Sequence, residues 1–351
     1  MRSKKVLIVR LGAIGDVVMT VPVAWELYVQ GFEVHWICGR MVQPLLECYP
    51  WVTLIPVNDK EILIGNAWQR ANNIIGLWSK LFFRKYDLCG ILYYDKRYSI
   101  LTLPVRAARK IALSKGARQT ALLAGRSYTD EFARILFRNE HGYDDRSLQP
   151  LRPDILPSSP LPAVTSGRRI AIVPGGASNV LAQQTLRRWP IELYVVLASE
   201  LRKRNWEIVL LGGPEDLWVR PYFQHIEVID CLGTLSIPEV ISTCDTCDAV
   251  ISHDTGPMHL AGVSRACLVG IFGSTNPGNF LPRRPGVVGI WGGQDLACRP
   301  CYDGQSYAPC QFAGCMHQVK PDLVIYHLDQ LLEAQSRGIL KSWQVVSPVG
   351  H

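Results

Sequence analysis

The sequence predicts an α/β protein with two doubly wound, parallel-sheet domains. Short apolar runs alternate with helical patterns, this rhythm occurs in both halves of the chain, and a stretch rich in Pro, Ser and Gly (152–167) separates the halves. The near-continuous apolar character of the runs is typical of parallel strands covered on both faces. With 351 residues, 48% hydrophobic and 19% charged, the chain is long enough for two globular cores.

The first half begins with a strand–helix–strand unit. VLIV (6–9) precedes an apolar-periodic segment (16–30), EVHWIC (33–38) follows it, and YDLCGILY (86–93) predicts a further strand. Residues 61–84 have a helical pattern in which several apolar side chains share one face: Trp68, Ile75, Trp78, Leu81 and Phe82. This pattern fits a helix packed on the sheet, and it also fits a basic, aromatic helix lying on a membrane.

The second half repeats the rhythm. Its predicted strands are 169–176, 206–213, 247–253 and 266–273, and its clearest helix is 191–204. We therefore expect an N-terminal domain over residues 1–160, a C-terminal domain over 161–330, and a tail over 331–351 that could pack back on the N-terminal domain. In such sheets ligands bind outside the carboxyl ends of the strands, so each turn after a strand is a candidate site.

Charge is unevenly distributed along the chain. Residues 1–160 carry 22 Lys and Arg against 14 Asp and Glu, and the remainder carries 15 against 16. Nine of the basic residues lie between Arg97 and Arg138. This excess fits a solvated face, and it also fits an anionic partner such as a membrane surface or a phosphorylated substrate. Nucleic acid is not expected as a partner, because net charge alone points to it and no motif does.

The chain start is read as a buried strand rather than a signal peptide, because Arg10 and Asp16 interrupt its apolar part. No apolar run reaches the length of a membrane span, so a cytoplasmic protein is expected.

The first turn whose residues could bind a ligand or catalyse a reaction is LGAIGDVVMTVP (11–22). Gly12 and Gly15 let the backbone approach a ligand closely, and Asp16 stands at the start of the next helix. An Asp there is a common helix cap, but at the carboxyl end of the first strand it could also act as a general base. The G-x-x-G spacing does not match a dinucleotide fingerprint or a Walker loop.

The later turns carry groups suited to a diphosphate. Gly175 and Gly176 form a small concavity lined by N–H groups, and Arg187 and Arg188 follow it. Glu215, in LLGGPEDLW, could accept from ribose hydroxyls or simply complement a helix dipole.

The stretch CDAVISHDTGPMHLAG (247–262) joins a strand to a helix that Pro257 opens. Asp254 or Thr255 is a natural helix cap, and an anion could dock on the open N–H groups of that helix. Taken together, these turns predict a nucleotide-diphosphate site.

An ordered set of motifs gives the sequence a specific resemblance. The GxxGD turn with Pro22, R-R-W-P at 187–190, G-G-P-E at 212–215, S-H-D-T-G-P-M-H at 252–259 and F-G-S-T-N-P at 272–277 occur in the order and separations of glycosyltransferase family 9. The similarity covers nearly the whole chain and is most specific in D-T-G-x-x-H. It implies a GT-B fold, in which two Rossmann-like domains face a shared cleft. It also implies inverting transfer of a heptose from ADP-L-glycero-D-manno-heptose to a lipopolysaccharide core acceptor.

The resemblance also implies roles for individual residues. Asp16 matches the catalytic base, and Arg187 stands where the family more often has Lys, which keeps the charge but changes its shape. The implied donor-binding residues are Gly15, Gly175, Gly176, Arg188, Glu215, Thr234, Leu235, Asp254, Thr255, Gly256 and His259, of which Thr234 and Leu235 would hold the base. The implied partners are a nucleotide-sugar donor, a lipid-linked glycan acceptor and the cytoplasmic face of the inner membrane.

A metal is not required by this reading. No Asp-x-Asp pair occurs in the chain, and two arginines with His259 could stabilise the departing diphosphate instead. Two alternatives remain open: a relative that uses another nucleotide sugar for a surface glycan, and a non-catalytic nucleotide-binding protein. A nicotinamide oxidoreductase is disfavoured by the imperfect fingerprint.

A cysteine cluster lies near the end of the second domain. Cys298, Cys301, Cys310 and Cys315 have the pattern C-x2-C-x8-C-x4-C, whose first pair has zinc-ligand spacing. A structural zinc or an iron–sulfur cluster is one interpretation, and free thiols are the other. Cys244 and Cys247 share the C-x-x-C spacing but are expected in the core.

Overall fold

The computed structural model describes residues 3–115, 119–123, 125–137, 148–164, 167–177, 184–302, 307–310 and 312–348. Its contacts divide the chain into two units, Met1–Ile155 and Leu156–His351. The predicted boundary at residue 160 lies a few residues beyond this division. Two of the basic residues singled out in the sequence, Arg118 and Arg138, lie outside the described residues.

The first unit is a parallel sheet covered by helices. Among its described residues five strands pair in the order β3-β2-β1-β4-β5, and every pairing is parallel. The strands are β1 (Lys4–Val9), β2 (Phe32–Gly39), β3 (Val52–Val57), β4 (Lys85–Ile91) and β5 (Arg106–Ala112). The helices are α1 (Ile14–Val29), α2 (Gln43–Leu46), α3 (Asp59–Ile64), α4 (Ala67–Leu81), α5 (Lys96–Leu101) and α6 (Tyr128–Phe137).

The strand order reverses between β1 and β4. Strands β2 and β3 extend the sheet on one side of β1, and β4 and β5 extend it on the other. The helices that follow β1 and β4 therefore leave toward opposite faces and open a crevice at the carboxyl ends of these two strands. This is where the first unit can bind a ligand.

The second unit repeats this plan with a larger sheet. Its described strands pair in the order β12-β11-β10-β9-β6-β7-β8, all parallel. They are β6 (Arg169–Val173), β7 (Glu207–Leu210), β8 (Ile229–Asp230), β9 (Ala249–His253), β10 (Cys267–Phe272), β11 (Val287–Trp291) and β12 (Gln344–Val346). The α-helices are α7 (Ile191–Lys203), α8 (Ile237–Asp245), α9 (Gly256–Gly262), α10 (Pro277–Phe280), α11 (Gly314–His317) and α12 (Pro321–Ser336), and 3-10 helices cover Thr185–Arg187 and Pro214–Phe223. The order reverses between β6 and β9.

The predicted class, two doubly wound parallel-sheet domains, is confirmed. The predicted strands and the helix at 191–204 lie within a few residues of the observed ones. Cys244 and Cys247 are buried, as predicted. Among the residues that the structure describes, none of the helices is both long and apolar enough to cross a bilayer.

The predicted tail needs a correction. Helix α12 runs through residue 331, so no boundary lies there, and β12 pairs with β11 in the sheet of the second unit. Residues 344–346 therefore belong to the C-terminal sheet.

The sequence also failed to predict β5. This strand contains Arg106, Arg109 and Lys110, and its burial alternates along most of its length. It lies at the edge of the sheet, where charged side chains can reach water and also discourage pairing with other chains.

Candidate functional site

In the first unit, an ion pair occupies the crevice between β1 and β4. Arg10 directly follows β1 and is only 3% exposed, and its guanidinium contacts the carboxylate of Asp16 in the first turn of α1. The same guanidinium donates to the carbonyl of Leu92, which directly follows β4. Arg10 thereby joins the ends of the two strands at which the order reverses.

This pairing orients Asp16. The Arg10 side chain is also held by the ring of Tyr93, whose centroid lies 4.8 Å from its guanidinium carbon, and its backbone carbonyl accepts from the Trp36 indole at 3.1 Å. The Asp16 side chain keeps 25% of its surface exposed. The buried guanidinium of Arg10 therefore fixes the carboxylate of Asp16 while leaving it accessible to solvent. A carboxylate that reacts with a substrate needs both properties. Gly15, predicted to bind the donor, is buried beside it in α1.

In the second unit, the turns after β6, β7 and β9 meet at the carboxyl edge of the sheet. The Ala177 amide donates to the hydroxyl of Thr255 at 2.9 Å, and the Gly176 amide donates to the carboxylate of Asp216 at 2.6 Å. Gly176 has φ +83°, and a Cβ on Gly175 would lie 2.4 Å from the Asp216 carboxylate. Glycines are therefore required here because three turns converge without room for a side chain.

Thr255 occupies the predicted N-cap position of α9 with an extended backbone, but its side chain makes no capping bond. Its hydroxyl accepts from Ala177 instead, which ties the turn after β9 to the turn after β6. Gly256 then begins the helix, and His259 lies within it, 5% exposed.

Asp254 is not a helix cap but the partner of a buried arginine. Its side chain is 2% exposed and lies 3.2 Å from the guanidinium of Arg187, which is 18% exposed. Burial disfavours charge on Arg187, but the combined effects of Asp254, Tyr307 and Tyr302 leave the pKa of the guanidinium above its usual value. The Nε atom of Arg187 is buried without a partner, so this cation retains bonding capacity.

Arg188 points to a different turn. It donates to the carbonyl of Gly176 at 2.8 Å and stacks on the ring of Trp218, whose centroid is 5.1 Å away. Burial lowers its pKa, partly opposed by Asp216. Arg188 thus contacts the glycine loop, whereas Arg187 contacts the turn after β9.

The predicted contacts to the nucleoside lie at the neighbouring strand ends. Glu215 is exposed in the 3-10 helix that follows β7. Thr234 is exposed and Leu235 half-buried in the loop after β8. Since β7 adjoins β6 and β8 adjoins β7 in this parallel sheet, these side chains belong to the same edge as the glycine loop.

Sequence reasoning missed three residues of these sites. Arg10 was noted only as an interruption, although a charge directly after a buried strand was a usable signal. Asp216 was not predicted, because the sequence favoured its neighbour Glu215 as the functional acid of this turn. Tyr307 gave no signal; its hydroxyl donates to Gln184 at 3.2 Å, and burial raises its pKa despite the opposing effect of Arg187.

Two buried hydroxyls also lie at this edge of the sheet. Ser274 and Thr275 follow β10, are at most 2% exposed, and have side-chain oxygens without a partner. His253, at the end of β9, is fully buried against the Tyr194 hydroxyl at 3.1 Å. Burial lowers the His253 pKa to about 3, with Arg187 adding to the effect, so this imidazole is neutral.

The four predicted metal-ligating cysteines do not form a ready metal site. Within the described part of the chain, which includes all four, no group of three or more His, Cys, Asp or Glu is arranged to hold a metal ion. They are free thiols, of which Cys298 and Cys310 are exposed. Burial and the neighbouring thiols Cys301, Cys310 and Cys298 raise the pKa of Cys315 to about 11.

Comparison with known proteins identifies the family that this chain resembles. A sequence model of glycosyltransferase family 9 (heptosyltransferase) matches residues 161–311. The lipopolysaccharide core heptosyltransferase OpsX of Haemophilus influenzae is 24% identical over 80% of this chain and 82% of its own length. Residues 161–311 thus belong to glycosyltransferase family 9. The chain is a glycosyltransferase.

Solved structures of the family show the same fold. A family 9 glycosyltransferase of Veillonella parvula superimposes with a TM-score of 0.73, at 18% identity, over 94% of this chain and 97% of its own. The Escherichia coli ADP-heptose lipopolysaccharide heptosyltransferase II gives 0.69, at 17% identity, over 95% and 99%. The fold of this glycosyltransferase is accordingly GT-B, as the resemblance implied.

Proposed function

We propose that this glycosyltransferase transfers a heptose from ADP-L-glycero-D-manno-heptose to a lipopolysaccharide core acceptor, with inversion and without a metal. The observation that carries the proposal is the buried Arg187–Asp254 pair at the end of β9, beside the glycine loop that Arg188 contacts. The names of the relatives support the heptose and the lipopolysaccharide acceptor, and one of them carries ADP-heptose in its name.

The C-terminal unit would bind the donor. Arg187 and Arg188 supply positive charge where negative charge gathers on the departing diphosphate, and a buried, preorganised cation stabilises such charge better than water does. The unpartnered hydroxyls of Ser274 and Thr275 offer two further donors. Glu215 would accept from the ribose hydroxyls, and Thr234 with Leu235 would contact the base.

The N-terminal unit would supply the base. Inverting transfer needs one group that removes the proton of the attacking hydroxyl while the sugar leaves its phosphate. Asp16 would take that proton, and Arg10 would hold its carboxylate in the orientation that the hydroxyl needs. Arg10 is thus proposed as a positioning residue.

The first test separates binding from chemistry. Asp16→Asn is expected to abolish product formation, followed by mass spectrometry, while ADP-heptose binding measured by calorimetry stays near that of the wild type. Arg187→Met is expected to weaken donor binding, and Arg187→Lys to restore part of it, because a point charge replaces the planar fork. Full activity of Asp16→Asn would show that the base is assigned wrongly.

A second test concerns the donor. Thermal-shift measurements with ADP-, UDP- and GDP-sugars are expected to show the largest stabilisation with the ADP-sugar, because binding to the folded state alone raises the melting temperature. A larger shift with a UDP- or GDP-sugar would favour the other candidate, a family relative that builds a different surface glycan.

The proposal includes location and metal content. A lipid-linked acceptor implies work at the cytoplasmic face of the inner membrane. The transfer is proposed to need no cofactor, and a structural zinc or iron–sulfur cluster at the four thiols stays a prediction. Elemental analysis of protein purified under reducing, anaerobic conditions tests that prediction, with a variant carrying Ser at Cys298 and Cys301 as control.

A further inference from the structure

One face of helix α4 is apolar and exposed. Trp68, Ile75 and Phe82 follow one another at intervals of seven residues, so they form a stripe along the helix. They are 75%, 62% and 55% exposed. Phe83, 90% exposed, extends the stripe at one end and Ile64, 54% exposed, extends it at the other. We call these five residues the apolar ridge.

The ridge is not the face that packs on the sheet. Leu77 and Leu81, on the opposite side of α4, are at most 3% exposed and belong to the core of the first unit. The capping box of Asn66 and Gln69 fixes the start of the helix, so the register of both faces is set. The sequence allowed two interpretations of this segment, a helix packed on the sheet and a helix lying on a membrane. In the structure one side of α4 packs on the sheet, and the other side is apolar, exposed and without a described partner.

Basic side chains border the ridge. Arg97 donates to the carbonyl of Leu63 at 2.6 Å while also pairing with Asp95, and Arg70 donates to the carbonyl of Gly65 at 2.9 Å. Both cations thus lie next to Ile64, and Lys80 and Arg84 are exposed near the other end.

A second exposed apolar pair lies beside α4. The indole of Trp78 donates to the carbonyl of Ile100, which is 41% exposed. Leu103 is 64% exposed, and Lys110 donates to the carbonyl of the adjacent Thr102 at 2.7 Å.

Basic residues predominate on this surface. Residues 62–86 and 96–113 together contain nine Lys and Arg and not one Asp or Glu. Acidic residues flank these ranges, among them Asp95, which pairs with Arg97, and Glu61, which accepts from a side-chain amide of α4. A surface of exposed apolar side chains surrounded by basic ones complements an anionic bilayer better than it complements a protein of ordinary composition. The acyl boundary of the bilayer accepts aromatic and aliphatic side chains while its phosphates attract the surrounding cations. Long basic side chains can lay their aliphatic portions along the apolar surface and place their charges at headgroup level.

We propose that the apolar ridge and the basic residues around it bind the surface of an anionic phospholipid bilayer. This inference deepens the proposed function, because a lipid-linked acceptor is held in a membrane. It is tested without donor or acceptor, so its failure is distinct from failure of sugar transfer.

The test is flotation of the full-length protein with vesicles. One set contains phosphatidylcholine alone, and the other contains equal parts phosphatidylcholine and phosphatidylglycerol. Binding is expected only to the anionic set and is expected to fall as salt is added. The double variant Trp68→Ser, Phe83→Ser is expected to lower the partition coefficient by about tenfold or more. Lys80→Gln is expected to lower it by about fivefold.

The control variants alter similar residues elsewhere. Val196→Ser removes an apolar side chain that is 46% exposed on α7, and Lys341→Gln removes an exposed cation. Both are expected to bind vesicles like the wild type. Far-ultraviolet circular dichroism and the melting temperature check that the ridge variants fold. We expect them to fold, because the replaced side chains are exposed.

Three results would overturn the proposal. One is equal binding of the ridge double variant and the wild type to anionic vesicles. Another is binding that ignores phosphatidylglycerol. A third is a wild-type oligomer that the double variant converts to monomers in sedimentation velocity, since the ridge would then be an interface between copies of this chain.

Discussion

The pair formed by Arg10 and Asp16 allows a quantitative test of how the first unit holds its carboxylate. Replacing Arg10 by Met removes a guanidinium that is 3% exposed and leaves the Leu92 carbonyl without that donor. Breaking a buried pair typically costs about 3–5 kcal/mol. Because the Asp16 side chain is 25% exposed and can be hydrated again, we expect a smaller loss, about 2–3 kcal/mol.

The complementary variant should cost more. Asp16→Asn leaves the buried charge of Arg10 with neutral acceptors, the Leu92 carbonyl and the new amide oxygen, so we expect a loss of about 3–5 kcal/mol. The double variant Arg10→Met, Asp16→Asn removes both charges. Its loss should be smaller than the sum of the single losses by about 1–3 kcal/mol, because the two groups are in direct contact.

Urea denaturation followed by circular dichroism measures these free energies of unfolding, and mass spectrometry measures transfer. If Arg10 positions Asp16, Arg10→Met should lower kcat by about 10²-fold while donor affinity stays unchanged. Additive free energies in the cycle, or wild-type turnover in Arg10→Met, would refute the reasoning.

Three further predictions concern the second unit. Arg187→Met should lower the free energy of unfolding by about 3–5 kcal/mol, because it leaves a carboxylate that is 2% exposed without its cation; urea denaturation that shows no loss would contradict this. Gly175→Ala should weaken donor binding and lower the melting temperature, because its Cβ would lie 2.4 Å from the Asp216 carboxylate, whereas Gly213→Ala, with 3.9 Å to the same group, should do neither. The pKa of His253 is about 3 in the fold and ordinary when unfolded, so the unfolded state binds the extra proton between these values. Stability should therefore fall by about 1.4 kcal/mol per pH unit as pH drops below the unfolded value, and His253→Gln should remove that slope in urea titrations from neutral to acid pH.

Much of the fold was predictable because it rests on local pattern. Short apolar runs such as 249–251 and 267–272 are typical of buried strands, and their alternation with helices implies parallel pairing. Five strands were missed: β3, β5, β8, β11 and β12. Four of them are the edge strands of the two sheets and β11 lies next to an edge, and no periodicity in the sequence expresses such a position.

The candidate sites were predictable to the level of the turn but not of the contact. Glycines, arginines and acids after predicted strands marked the correct loops, because ligands bind at the carboxyl ends of parallel strands. The sequence could not show that Asp254 pairs with Arg187, that Asp216 rather than Glu215 ties the glycine loop, or that Arg10 holds Asp16. These partners lie up to 67 residues apart in the chain, and only the packing of the sheets brings them together.

The sequence by itself determined the class of the protein: apolar strands alternating with helices, an excess of positive charge in the first half, and motifs shared with a family. The tertiary structure decided which charged groups are neutralised by a partner and which apolar groups remain in water. Trp68 and Leu81 have the same apolar character in one helix, yet one is 75% exposed and the other fully buried. Burial depends on what the rest of the chain places against each face, and a one-dimensional pattern does not contain that information.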